Sequence, residues 1–294
     1  MRVAIVGATG LIGRRVVSWL TTRGDDVVAL ARGGRAVQGA TVVDWDGLGP
    51  VPPGAVDGCD AVINLAGSPI GRRWNAQVKS EMVSSRVDLT ERLVTAVADS
   101  GVRTLVNASA VGYYGNREEP VDESAAPGSG FLSDVCVRWE AAARKAEALG
   151  VRVVLLRTGI VLAADGGALP QMLGPAKLGL GGPIAGGRQW FPWIHIADTV
   201  SLVLKALDEQ GVSGPINLVA PGIVRQGEFA KILGAVLGRP AVAPTPGFAI
   251  KLMLGEGAQI VLEGQHARPA AALAAGHAFA FADVREALTD LLEG

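Results

Sequence analysis

The chain is poor in the residues that build disulfide frameworks and metal centres. Its 294 residues include two cysteines and three histidines. Cys59 and Cys136 are too few for a disulfide framework. The histidines are scattered along the chain and lack the spacing of metal ligands. We therefore predict neither a disulfide-stabilised fold nor a metal site.

Excess charge and long apolar runs are also absent. The formal net charge is −1, from 27 basic and 28 acidic residues, so we predict no attraction to nucleic acid or to an anionic membrane surface. No apolar run has the length of a membrane span, and the first segment has a strand pattern, so we expect no signal peptide. These absences favour a cytoplasmic protein whose partner is a small molecule.

A glycine motif is the most informative feature that is present. Residues 7–13 read Gly-Ala-Thr-Gly-Leu-Ile-Gly and follow the apolar run at 3–6. A buried strand, a glycine turn and a helix together form a cradle for a dinucleotide pyrophosphate, whose phosphates lie against backbone N–H groups at the positive end of the helix. An ordinary tight turn is the alternative. The motif predicts that the following residues bind the dinucleotide: Gly7, Thr9, Gly10, Leu11, Ile12 and Gly13.

The end of the second predicted strand indicates which dinucleotide is bound. An NAD site usually has an acidic residue here, which accepts hydrogen bonds from the ribose hydroxyls. This chain has Ala31 followed by Arg32, and a guanidinium pairs well with a 2′-phosphate. Arg35 is a second candidate for that contact. The pattern favours NADP(H), and the alternative is a solvated surface arginine.

Short β-branched runs alternate with helical patterns along the first half, which predicts a parallel sheet. We predict strands at 2–6, 26–31, 41–44, 60–65, 103–109, 151–158 and 216–219. We predict helices at 11–23, 75–100, 132–149, 169–178, 226–237 and 247–262. The fold class is α/β, a Rossmann-type doubly wound parallel sheet with a smaller C-terminal α/β part. Residues 1–162 form the cofactor domain, the strand near 215–219 returns to its sheet, and residues 163–294 form the substrate side.

Several segments resemble one family over nearly the whole chain. GATGLIG at 7–13, NLAG at 64–67, NASAVGYYG at 107–115 and WIHIAD at 193–198 are similar to motifs of the extended short-chain dehydrogenase/reductases, the group of NAD(P)-dependent epimerases and dehydratases. The chain also resembles a narrower, atypical branch known only as epimerase family proteins. The segments that resemble this branch are RRWN at 72–75, SSR at 84–86, WEAAA at 139–143, LRTGIVL at 156–162, LGLGGPIAGGRQWFPWIHI at 178–196 and LEGQ at 262–265.

The resemblance implies further cofactor contacts. Leu65, Ala66 and Gly67 end the fourth strand, where bare backbone accommodates a flat ligand. The positions of Glu81 and Arg86 also face the cofactor in this branch, although the two residues have the helix spacing of an ordinary surface ion pair. By analogy, the helices at 75–100 and 132–149 predict a homodimer.

The family's catalytic pattern is incomplete in this chain. The wider superfamily uses a serine together with a Tyr-x-x-x-Lys pair, in which the lysine lowers the pKa of the tyrosine. Ser109 occupies the serine position. The two tyrosines of the chain are Tyr113 and Tyr114, and neither has a lysine four residues later. Aligned on WEAAA, Leu132 takes the tyrosine position and Cys136 takes the lysine position.

Three replacements for the missing acid/base remain open. Tyr113 or Tyr114 serves as a displaced acid, or the pair packs beneath a substrate lid. His195 or Asp198 serves as a base, or both residues join the two parts of the chain. Cys136 serves as a nucleophile, or it is a small buried side chain. Ser109 and Tyr113 are our catalytic candidates.

The substrate side offers one cationic and aromatic cluster. Arg188, Trp190 and His195 are our candidates there, and they suit a phosphorylated or nucleotide-linked ligand. The aromatic residues of this segment are equally typical of a core between the two parts. The sequence thus predicts an NADP(H)-binding oxidoreductase or epimerase acting on a small molecule. The alternative is a non-catalytic NADPH-binding module that senses redox state.

Overall fold

The computed structural model describes residues 1–98 and 100–293. Strands and helices are numbered in chain order. The N-terminal half contains β1 (Arg2–Val6), α1 (Gly13–Arg23), β2 (Asp26–Ala31), β3 (Thr41–Asp44), β4 (Ala61–Asn64), α2 (Ala76–Val83), α3 (Leu89–Val97), β5 (Thr104–Ala110), β6 (Arg117–Val121), α4 (Phe131–Arg144) and β7 (Arg152–Thr158).

The C-terminal half contains shorter elements. They are β8 (Ile160–Ala163), β9 (Gly166–Gly167), α5 (Leu169–Lys177), β10 (Trp190–Phe191), β11 (Trp193–His195), α6 (Ile196–Asp208), β12 (Gly214–Leu218), β13 (Val224–Arg225), α7 (Gln226–Val236), α8 (Gly247–Leu254), α9 (Gln259–Leu262), β14 (Gln265–Ala267), α10 (Ala270–Ala274) and α11 (Val284–Glu293). Throughout the described ranges, no helix is long and apolar enough to cross a membrane.

Seven strands form the central sheet, in the order β12-β7-β5-β4-β1-β2-β3. Each neighbouring pair in this sheet is parallel. The chain winds outward from β1 in both directions, so the strand order reverses between β1 and β4. Open sheets of this kind bind ligands at that reversal, beyond the carboxyl ends of the strands. The predicted fold class is confirmed.

Both faces of the sheet are buried, which explains why its strands are almost continuously apolar. Val3 and Ile5 of β1 face a core layer completed by α1 and α6. Ala4 and Val6, which point the other way, face a layer completed by α3 and the C-terminal end of α4. The two layers hold the ends of β1 and β4 rigidly where a ligand would bind.

The predicted strands of the main sheet agree with the structure to within two residues. The predicted helix at 75–100 consists of α2 and α3 joined by a π-helical turn at Ser84–Asp88, and residue 99 lies outside the described part. Helix α6 was not predicted; it packs on the main sheet although it follows residue 162. The main sheet therefore takes elements from both sides of residue 162.

Most of the remaining C-terminal elements form a smaller unit beside the carboxyl end of the sheet, whereas Ala272 of α10 packs on the main sheet. The core of the smaller unit contains Leu169, Phe191, Trp193 and Phe229, together with residues of α11. Strand β8 pairs with β11 and β9, and β14 pairs with β6 of the N-terminal half. These pairings bring C-terminal residues over the ends of the main strands.

Candidate functional site

A cavity of about 490 Å³ lies at the strand-order reversal, within the size range of small-molecule and cofactor sites. It begins at the turn after β1 and continues past the ends of β4, β5 and β7. Residues of α4 also line it, as do residues of α9 and of the segment after α9. Among the predicted cofactor residues it is lined by Gly7, Gly10, Leu11, Ile12, Gly13, Leu65, Gly67 and Arg86.

Close backbone contacts within the glycine turn exclude side chains at two of its three glycines. Gly7 has φ +85°, and a Cβ there would lie 2.8 Å from the carbonyl carbon of Leu65. A Cβ on Gly13 would clash with the carbonyl oxygen of Gly7. Gly10 differs, because its Cβ would meet one atom of the turn, at 3.2 Å, and otherwise open space. Gly7 and Gly13 are thus needed for the turn, and Gly10 leaves room for a ligand.

Residues at the start of α1 border this space with their backbone N–H groups. The N–H of Gly10 donates to the carbonyl of Gly7 at 3.0 Å, and the carbonyl of Gly10 accepts from Arg14 at 3.1 Å. Among the described residues, the N–H groups of Leu11 and Ile12 have no acceptor. Unpaired N–H groups at the positive end of a helix form an anion-binding site.

Arg32 lies at the carboxyl end of β2, directly beside β1 in the sheet. Ala31 is buried, whereas Arg32 is exposed in a short 3-10 turn. Neither residue lines the cavity. Within residues 1–98 and 100–293, Arg32 makes no ion pair. Its guanidinium is therefore free to meet a ligand that extends from the glycine turn past the end of β2.

Buried Asn64 fixes the chain at the end of β4. Its Nδ2 donates to Asn107 Oδ1 at 2.7 Å and to Thr90 Oγ1 at 3.0 Å, and its Oδ1 accepts from the N–H of Ala66 at 3.2 Å. These bonds hold the backbone that the resemblance assigns to the cofactor. Of the three predicted residues there, Leu65 and Gly67 line the cavity and Ala66 lies between them.

Arg86 enters the cavity from the π-helical turn, a type of helix defect that is frequent at functional sites. Its guanidinium donates to the carbonyl of Ser68 at 3.0 Å and lies 5.3 Å from the ring centre of Trp139. Burial lowers the pKa of Arg86, and no described carboxylate pairs with it. Arg86 is thus a half-buried cation that can meet an anionic ligand.

Two other predicted contacts are not at the cavity. Glu81 binds Arg72, so the ion pair that its helix spacing suggested with Arg86 does not form. The hydrogen bond from Arg72 lowers the pKa of Glu81. Thr9 is exposed and does not line the cavity. The role that the resemblance gives to Glu81 therefore stays a prediction without geometric support.

Ser109 lines the cavity at the end of β5. Its Oγ donates to Glu140 Oε1 at 2.7 Å. Arg157 holds both oxygens of the same carboxylate, with Nε at 2.8 Å from Oε1 and Nη2 at 2.9 Å from Oε2. All three side chains are buried. Burial alone would lower the pKa of Arg157, but its interactions with Glu140 outweigh burial and raise that pKa.

The two tyrosines lie behind this cluster and do not line the cavity. Tyr114 is fully buried; its hydroxyl donates to Asn217 Oδ1 at 2.8 Å and accepts from Arg157 Nη1 at 2.9 Å. Burial raises the pKa of Tyr114 to about 12. The ring of Tyr113 is stacked on Arg157, with the guanidinium carbon 3.5 Å from the ring centre. This geometry favours packing over acid catalysis for both tyrosines.

Leu132 and Cys136, which take the positions of the missing tyrosine and lysine, both line the cavity from α4. Burial, followed by the nearby charge of Glu140, raises the pKa of Cys136 to about 12. A protonated thiol is a weak nucleophile, so the geometry favours the buried side chain over the nucleophile.

The substrate-side candidates lie outside the cavity lining. Buried His195 accepts a hydrogen bond at Nδ1 from the N–H of Ala197 and caps α6. Trp190 is sandwiched between Arg225, 3.7 Å from its ring centre, and His266, 3.8 Å away. Arg188 is exposed. The structure therefore does not bring these three predicted residues together with Ser109.

Asp198 has a structural contact at the edge of the smaller unit. Its two carboxylate oxygens accept from the N–H groups of Ala280 and Phe281, at 2.7 and 3.0 Å. These bonds attach the C-terminal segment to α6. This is the joining role that we left open for Asp198.

Several cavity residues were missed by sequence reasoning. They are Ser129, Ser133, Pro192, Gln259, Ile260, Glu263 and Gln265. Within the described ranges, Glu263 is the one carboxylate that lines the cavity. Glu263 and Gln265 belong to the LEGQ segment, so that signal was available, but nothing in the sequence showed that the segment reaches the ends of the strands.

Comparison with known proteins identifies the family. Residues 3–219 match the model of the NAD dependent epimerase/dehydratase family. Residues 245–291 match a model described as a domain of unknown function, DUF1731. The chain belongs to the NAD dependent epimerase/dehydratase family, and the predicted family is confirmed.

Similar proteins have been named in several organisms. The chain is 41% identical to the chloroplastic homolog of epimerase family protein SDR39U1 from Arabidopsis thaliana, over 100% of this chain and 87% of the relative. A crystal structure of human epimerase family protein SDR39U1 with NADPH is similar with a TM-score of 0.89 and 37% identity, covering 100% of this chain and 99% of the human one. A nucleoside-diphosphate sugar epimerase from Corynebacterium glutamicum has a TM-score of 0.83 and 34% identity, covering 99% of this chain and 58% of that one.

Proposed function

We propose that the cavity binds NADP(H) as a cofactor. The observation that carries the proposal is the glycine turn, which combines open space at Gly10 with the N–H groups of Leu11 and Ile12, which have no acceptor among the described residues. A pyrophosphate fits this cradle because both its charge and its acceptor oxygens match the start of α1. Human SDR39U1 was crystallised with NADPH, which supports the same cofactor here.

We propose further that Arg32 selects NADP(H) over NAD(H). An adenosine ribose bound near the end of β2 would place its 2′-phosphate beside Arg32, which is exposed and has no ion-pair partner in the described chain. Ala31 provides no carboxylate to bind the ribose hydroxyls of NAD(H). Arg86 lines the cavity and pairs with no carboxylate among the described residues, so it is available for another anionic part of the ligand.

The reaction we propose is an oxidation–reduction or epimerisation of a small molecule. When bound, the nicotinamide supplies hydride transfer. The chain contributes two polar side chains to the cavity lining, Ser109 at the end of β5 and Glu263 directly after α9. A phosphorylated or nucleotide-linked substrate, a homodimer and a cytoplasmic location stay predictions.

A second candidate is a non-catalytic module whose conformation depends on NADPH. The specific observation in its favour is that Leu132 and Cys136 line the cavity where the wider superfamily has its catalytic tyrosine and lysine. Neither side chain can exchange a proton near neutral pH, since Leu132 has none to exchange and Cys136 holds its own.

Two experiments test these proposals. Calorimetric titration of cofactor-free protein with NADPH and NADH should show tighter binding of NADPH, and tighter binding of NADH would reject the role of Arg32. A screen of aldehydes, ketones and nucleotide sugars with NADPH separates the enzyme from the module. Turnover that is lost in Ser109→Ala would reject the non-catalytic alternative.

A further inference from the structure

The proton of the Ser109 hydroxyl is directed away from the cavity. Ser109 is 4% exposed at the end of β5, and its Oγ donates to Glu140 Oε1 at 2.7 Å. A serine hydroxyl has one proton and two lone pairs. Because the hydroxyl proton of Ser109 lies toward Glu140, Ser109 presents only lone pairs to the cavity that it lines.

Glu140 cannot reverse this hydrogen bond. Its two oxygens accept from Nε and Nη2 of Arg157 at 2.8 and 2.9 Å, a two-point contact with a permanently charged guanidinium. An ionised carboxylate only accepts hydrogen bonds. Glu140 is itself 4% exposed, so water does not replace Ser109 as its third partner.

The groups behind Arg157 do not release a proton to Ser109 either. Arg157 Nη1 donates to the hydroxyl of Tyr114, and that hydroxyl donates to Asn217 Oδ1. The Asn217 amide is fixed in turn, because its Nδ2 donates to the carbonyl of Arg268 at 2.8 Å. These three donors, Arg157 Nη1, the Tyr114 hydroxyl and Asn217 Nδ2, each have an acceptor within the protein, which fixes the direction of each hydrogen bond.

We propose that Ser109 is a fixed hydrogen-bond acceptor and selects a ligand group that carries an N–H or O–H donor, such as a carboxamide or an alcohol. This inference rests on the proposed function, since it concerns the same cavity. A serine that activates a carbonyl must donate to the carbonyl oxygen, and Ser109 has no proton left for that bond. The site therefore favours a donor over a carbonyl acceptor at this point.

The donor has two possible sources, the carboxamide of the nicotinamide and a hydroxyl of the substrate. Both present a proton on an electronegative atom, and both are uncharged. The experiment therefore has one arm for the carboxamide and one arm for the substrate hydroxyl. Both arms compare wild type with Ser109→Ala, which removes the acceptor and leaves the Glu140–Arg157 pair intact, and with Ser109→Thr, which keeps a hydroxyl.

The first arm measures Kd for NADPH and for its reduced 3-acetylpyridine analogue, which has a methyl ketone in place of the carboxamide. If the carboxamide is the donor, wild type and Ser109→Thr should bind NADPH about 2- to 12-fold more tightly than the analogue, the usual value of one hydrogen bond. In Ser109→Ala the two ligands should bind about equally.

The second arm uses protein saturated with NADPH and compares glycerol 3-phosphate with dihydroxyacetone phosphate by ligand-observed NMR. These probes differ in having an alcohol or a ketone at one carbon. If a substrate hydroxyl is the donor, the alcohol should bind more tightly in wild type, and Ser109→Ala should abolish that preference.

The outcomes separate this inference from the proposed function. NADPH binding to wild type with no effect of Ser109→Ala in either arm would overturn the acceptor role and leave the proposed function standing. A preference for the ketone that depends on Ser109 would also overturn it. If wild type does not bind NADPH, the proposed function fails, and the inference that rests on it fails too.

Discussion

Arg157 binds Glu140 through two hydrogen bonds inside the protein, at 2.8 and 2.9 Å. The pair lies between β7 and α4 and is shielded on one side by Tyr113 and Tyr114. Removing one partner of a buried ion pair leaves an uncompensated charge and costs about 3–5 kcal/mol. We therefore expect Glu140→Ala to lower the free energy of unfolding by about that amount, measured by urea denaturation.

Arg103 and Asp60 provide the matched control for this prediction. Their side chains pair at 2.7 Å, but the side chain of Arg103 is 78% exposed. Exposed ion pairs contribute about 0–1 kcal/mol. Arg103→Ala should therefore change stability little. Equal effects of the two substitutions would contradict the importance that we give to the buried pair.

Arg32 should determine the preference for the phosphorylated cofactor. Hydrogen bonds to charged groups contribute about 1.5–3 kcal/mol, which corresponds to roughly 10- to 100-fold in affinity. We expect Arg32→Ala to weaken NADPH binding by that factor and to leave NADH binding nearly unchanged, as measured by calorimetric titration. Arg239→Ala, which removes another exposed arginine that does not line the cavity, should affect neither cofactor.

The glycine turn should not tolerate a side chain at Gly13. A Cβ there would clash with the carbonyl oxygen of Gly7, and forcing extra atoms into a packed site costs about 1–3 kcal/mol. Gly13→Ala should lower the melting temperature and abolish NADPH binding. The control is Gly174→Ala in α5, where a Cβ would meet nothing within 4 Å; this variant should be neutral or slightly more stable.

Buried histidines should make the fold sensitive to mild acid. Burial lowers the pKa values of His195 and His277 below the ordinary 6.5. In that pH range the unfolded chain binds protons that the folded chain does not, so stability rises with pH and decreases as the pH falls below about 6.5. Urea denaturation between pH 7 and pH 5 should show this decrease. His277→Gln should reduce the slope, and an unchanged slope would refute the contribution of His277.

Much of the structure around the glycine turn could be predicted from short stretches of sequence. The glycine turn and the apolar strands each depend on a few consecutive residues, and the structure places them as the pattern indicates. Arg32 lies after β2, and its contact with the cofactor stays a prediction. Helix α6 was missed because its apolar segment follows WIHI, a strand-like run, and the helix is buried against the sheet. The segment after Leu262 was missed as a cavity wall because its contacts are with residues far away in the chain.

The region around Ser109 could not be predicted from local sequence. The sequence places Ser109, Glu140 and Arg157 on separate elements, and their contact exists because β5 and β7 are neighbours in the sheet and α4 packs beside them. Tyr113 lies three residues after the end of β5, which made it a reasonable acid candidate. Its ring packs on the guanidinium of Arg157, because a cation and an aromatic face attract each other.

The sequence by itself determined the fold class, the dinucleotide cradle and the absence of a lysine four residues after either tyrosine, because each of these is a property of neighbouring residues or of composition. The tertiary structure alone decided which side chains reach the cavity and which way the Ser109 hydroxyl points. That direction depends on a buried charge pair between residues 17 positions apart. The fold creates it by removing water, so that each donor must find its acceptor within the protein.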